Sequence, residues 1–61
     1  MKKNERILMA EAKNSIDQLL DCLDGIVNEQ GYEGLTPFVV EPEQIIEKAR
    51  KIRGEMVIAL A

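Results

Sequence analysis

The chain has 61 residues, one cysteine, no histidine, 46% hydrophobic residues and a formal net charge of −3. That length fits a single domain, 1–61, and that hydrophobic content is too high for a disordered tail. The cysteine count excludes an internal disulfide, the missing histidine excludes the common zinc sites and any Ser-His-Asp arrangement, and the acidic balance argues against a general nucleic-acid binder.

The N-terminal stretch MKKNERILMAEAK has an apolar run of only four residues, Ile7 to Ala10. A secretory signal needs about 7–15, so none is expected. The lone cysteine fits a reducing compartment, and the expected location is cytoplasmic.

The first predicted element is an amphipathic helix over about 4–30. Met9, Ala12, Ile16, Leu19, Leu23 and Ile26 recur at spacings of three and four, and Leu20 and Val27 widen the stripe. Asn14, Asp17, Asp21, Asp24 and Asn28 fall on the opposite face. Gly25 interrupts the helix as a point of close packing or a kink. Asp17, Asp21 and Asp24 have a spacing that can hold a hard cation. They project toward water and no second acidic helix face accompanies them, so the expected role is a solvated face and no metal is expected. Cys22 flanks the stripe and is expected to be a buried or half-buried, inert thiol: its charged neighbours are acidic, which disfavours the thiolate.

Residues 31–41 follow as a connector, and it holds an unusual share of apolar side chains. The only tyrosine and the only phenylalanine lie there, with Leu35, Val39 and Val40. Gly31 is expected to end the first helix in the left-handed conformation, with Tyr32 packing back on Val27. Thr36 precedes a proline and is expected to be extended. Val40 before an N-cap at Glu41 has the spacing of a hydrophobic staple with Ile45. Leu35, Phe38 and Val39 lack local partners and are the candidate partner-binding residues. Of these, Phe38 is expected to lean toward capping the core and Leu35 toward docking.

The second predicted helix runs over about 42–60. Ile45, Ala49, Ile52, Met56 and Ala59 repeat the three/four spacing, widened by Ile46 and Leu60. Pro42 suits the first helical position. Glu41, Glu43 and Glu47 sit near the positive end of the helix dipole. The run Lys48, Arg50, Lys51 and Arg53 is the alternative phosphate-binding candidate. Glu47 and Glu55 dilute it, and Glu47 has the spacing to pair with Lys51. The longest apolar run, MVIALA, is far short of the ~18 residues of a membrane span.

Two stripes this wide cannot enclose a core within one hairpin. The expected fold is an all-α helical hairpin with an apolar extended connector, paired as a homodimeric four-helix bundle. The expected dimer core is Ile16, Leu19, Leu23, Ile26, Ile45, Ile52 and Met56. The expected function is that of a small non-catalytic interaction protein of bacterial or mobile-element type, with no cofactor. It docks on a partner protein as a regulator, inhibitor or accessory subunit. The alternative is a nucleotide- or RNA-binding helical dimer that uses Lys48 to Arg53, and no membrane partner is expected.

Overall fold

The computed structural model describes all 61 residues, Met1–Ala61. It is an all-α hairpin: helix α1 spans Lys3–Gln30, a short 3-10 helix spans Tyr32–Leu35, and helix α2 spans Pro42–Leu60. Both long helices lie within a residue of the periodicity-based boundaries. Pro42 opens α2 as expected, since its fixed φ is pre-organised there and its missing N–H costs nothing.

The seam between the helices is displaced from the predicted a/d line. Leu20 and Ile46, which periodicity placed only at the margins of the stripes, are the most buried side chains, at 1% and 2% exposure. With Leu35 they form the core, packed against by Ile16, Leu23, Ile26, Val27 and Ala49. Leu19, one position from Leu20, is 56% exposed. The reason is geometric. Each residue advances about 100° around a helix, so a wide stripe can meet one neighbouring helix along only part of its width.

Ion pairs lock one flank of this seam. Arg50 Nη2 lies 2.6 Å from Asp24 Oδ1, and Arg53 Nε lies 3.8 Å from Asp17 Oδ1, both across the hairpin. Lys13 adds a pair with Asp17 at 2.8 Å along α1. Asp17 and Asp24 therefore do not form the solvated face expected of them, although Asp21 does. The predicted Glu47–Lys51 pair is not formed within 4 Å. At the open end, the Arg6 guanidinium donates to the Leu60 carbonyl and ties the two termini together.

The connector departs from the sequence-based picture in several ways. Gly31 has φ 73° and ψ −179°, so it leaves α1 in an extended direction and not through a left-handed cap. Its N–H donates to the Val27 carbonyl at 2.7 Å, and Tyr32 begins the 3-10 helix where a Schellman return was expected. Thr36 is helical, at φ −60° and ψ −29°, not extended. Its hydroxyl donates to the Glu33 carbonyl at 2.8 Å, and this local bond offsets the steric preference set by Pro37. The N–H groups of Phe38 and Val39 both donate to the Leu35 carbonyl. The connector is thus a hydrogen-bonded turn, and not an extended strand of chain.

Glu41 is the N-cap of α2, but its backbone is left-handed (φ 54°, ψ 62°) and its side chain makes no capping bond. A hydrophobic staple accompanies an N-cap in the extended region. Here Val40 is 84% exposed and the staple is not made.

Candidate functional site

Two exposed apolar features remain once the intramolecular seam is accounted for. The first is a face shared by both helices. Arg50 and Arg53 reach Asp24 and Asp17, so the charged flanks of α1 and α2 lie on the same side of the hairpin. Leu19, Leu23 and Ile26 lie on the other side of the Leu20 line, by the rotation of about 100° per residue. The same rotation places Ile45, Ile52 and Ala59 across the Ile46 line from Arg50, with Arg53 close to that line and half-buried at the seam. The apolar flanks of both helices therefore share the opposite side.

On that face Leu8, Leu19, Ile45 and Ile52 are exposed. Leu23 and Met56 are half-buried along its inner edge, Ile26 is half-buried beside the 3-10 turn at Gly34, and Ile16 lies half-buried toward the seam. Leu19 lies between Asp17 and Asp24, and Ile52 between Arg50 and Arg53. The two side chains are therefore level, near the middle of the face.

The second feature is the bend. Phe38 is 83% exposed and Val40 nearly the same, whereas Leu35 is 4% exposed and belongs to the core. Leu35 and Phe38 thus exchange the roles their sequence context suggested. Leu35 ends the 3-10 helix that folds back over α1. Gly34, its neighbour, sits so close to α1 that a Cβ there would meet Gln30 Cβ at 2.9 Å and Ile26 Cγ2 at 3.1 Å. Phe38 follows the turn closed on the Leu35 carbonyl and projects from the end of the molecule. Val39, the next residue in the chain, is half-buried.

The basic run is divided by its partners. Arg50 and Arg53 are engaged by Asp24 and Asp17, while Lys48 and Lys51 are exposed and make no ion pair. A phosphate on this run would have to compete with carboxylates already in place for its two arginines.

Cys22 is exposed, neither buried nor half-buried. It lies beyond the edge of the apolar face, next to Asp21. No group of three or more Asp, Glu or Cys side chains comes together in a way that could hold a metal ion. The one surface depression, lined by Asn4, Ile7 and Leu8, holds no titratable group. No helix is long and apolar enough to cross a membrane.

The chemistry on display is therefore shape and apolar surface, with charge as the modulator. The exposed apolar face was legible as excess stripe width. The bend was legible as apolar composition, but the choice of Phe38 over Leu35 was not. Comparison with protein-family models, with curated proteins and with solved structures gives no match for this chain.

Proposed function

We propose that this chain is a small, non-catalytic interaction protein that acts as a homodimeric four-helix bundle and docks on a partner protein through its bend. One observation carries the reading. Only 4 of 61 residues are buried, while Leu8, Leu19, Ile45 and Ile52 stand exposed on one side of the hairpin. A chain of this size with so few buried side chains gains stability from further burial, and with no internal disulfide, association supplies it. A second copy packed on the shared face would convert that exposed width into core.

Dimerisation through the long face leaves the bend free. Phe38 and Val40 then form a compact apolar tip of the kind that anchors protein–protein contacts, where aromatic side chains dominate the binding energy. An exposed free thiol at Cys22 suits a reducing compartment, and the proposed setting is the cytoplasm.

Light scattering after size exclusion tests the dimer. At micromolar concentration it should return twice the 6.9 kDa chain mass. Leu19→Glu should return the single-chain mass, because it places a charge where the two copies meet. A fully helical wild-type monomer at high concentration would overturn the bundle.

A further inference from the structure

The hairpin is electrically polarised along its length, and the polarity bears on how two copies meet. Glu29, Glu33, Glu41, Glu43 and Glu47 lie at or next to the bend, with no lysine or arginine between Lys13 and Lys48. The middle of the hairpin is nearly neutral, since Lys13 and the run from Lys48 to Arg53 offset Asp17, Asp21, Asp24 and Glu55. The open end carries Lys2, Lys3 and Arg6 against Glu5 and Glu11. By sections the side-chain charge is −5 at the bend, +1 in the middle and +1 at the open end, which totals the −3 of the chain.

We infer that the second copy packs on the shared apolar face in the antiparallel sense, with the two bends at opposite ends of the dimer. This rests on the self-association proposed above and specifies its geometry. The hairpin as a whole measures 41 × 17 × 16 Å, so one broad side offers at most roughly 700 Å², of the order of the ~800 Å² per partner of a standard stable interface.

Hydrophobic contact along that face fixes no direction by itself. Charge does. In a parallel pair the two bends, with five glutamates each, would sit side by side at a helix–helix spacing of about 10 Å, comparable to the Debye length at 0.1 M salt. In the antiparallel pair each bend lies beside the cationic open end of the other copy, and the two bends are separated by about the length of the hairpin. Leu19 and Ile52, level with each other near the middle of the face, lie close to the two-fold axis. Each would meet its counterpart region there, as a self-complementary isologous interface requires.

The experiment is a distance measurement on the full chain. In a Cys22→Ser background, Val40→Cys places a nitroxide at the exposed bend, and Phe38→Cys, also exposed and uncharged, provides a second label. Pulsed electron–electron resonance on the dimer should give a distribution centred near the 41 Å length of the hairpin for both positions. Bends side by side would give distances within roughly 20 Å, about two interhelical spacings. That result in a sample of dimer mass would overturn the orientation while leaving self-association standing. A dimer with no measurable coupling would mean contact through the open ends and would also overturn it. A monomer mass in the same sample, before and after labelling, would overturn self-association and this orientation with it.

Discussion

Leu35 and Phe38 are three positions apart and have opposite surroundings, so alanine at each should behave differently. Leu35→Ala removes a side chain from a three-residue core and should cost about 2–5 kcal/mol. In a chain this short each kcal/mol moves the melting temperature by several degrees. Phe38→Ala should shift stability by no more than about 0.5 kcal/mol, as exposed substitutions do. It should instead weaken a bound partner by about 2 kcal/mol or more, the signature of an interface hot spot. Thermal melts of the two variants, side by side, check the first half without knowledge of the partner. A large loss of stability in Phe38→Ala would count against an exposed docking role. Gly31 makes a different point at the same scale. Its φ of 73° with ψ near 180° belongs to a region essentially restricted to glycine. Gly31→Ala should therefore cost roughly 1–3 kcal/mol although the added methyl would meet nothing within 4 Å.

Within each helix, stability is divided between a sealed seam, a charged flank and an interrupted outer surface. Gly25 and Gly54 each sit inside a helix with open space around them, so neither serves a close helix–helix approach. Gly25→Ala and Gly54→Ala should each stabilise the protein by up to about 1 kcal/mol, the propensity difference in a helix interior. Chemical denaturation at fixed protein concentration measures this, and a loss of stability in either would reveal a kink that the helix needs. The interhelical ion pairs are half exposed, with side-chain exposures of 49% and 40% for Arg50 and Asp24. Pairs in that setting contribute about 0–1 kcal/mol and less in high salt. Their larger role is directional: they assign the charged flanks to one side and thereby leave the apolar flanks together on the other.

At the scale of the whole molecule, the proposed dimer would make stability depend on concentration. If the folded hairpin is stabilised by a second copy, tenfold dilution should lower the melting temperature measurably, since association favours the folded state by mass action. Leu19→Glu should remove that dependence and leave a weaker, monomeric hairpin, because Leu19 is exposed in the single chain. Leu20→Glu, one residue away, should unfold the hairpin at any concentration, because it would bury an unpaired charge at the seam. Circular dichroism melts over a concentration series distinguish the two variants. A wild-type melting temperature that is independent of concentration would leave the apolar face without its proposed occupant.

Periodicity and end signals were enough to determine the two helices, their boundaries and their hairpin order. Spacings of three and four, Pro42 at the start of α2 and glycine at the end of α1 are local properties, and local energetics decide where a helix begins and ends. The excess width of both stripes also announced, from the sequence, that one hairpin leaves apolar surface uncovered. Only the tertiary structure decided which part of each stripe is sealed. Rotating either helix by about one residue exchanges Leu20 for Leu19 or Ile46 for Ile45 at similar hydrophobic gain, and the cross-helix pairs of Arg50 with Asp24 and Arg53 with Asp17 go with the observed choice. The connector lay beyond the sequence for a related reason. Leu35, Phe38 and Val40 are alike in apolarity, and which of them turns inward depends on backbone hydrogen bonds and on the glycine path at Gly31 and Gly34, geometry that composition does not encode.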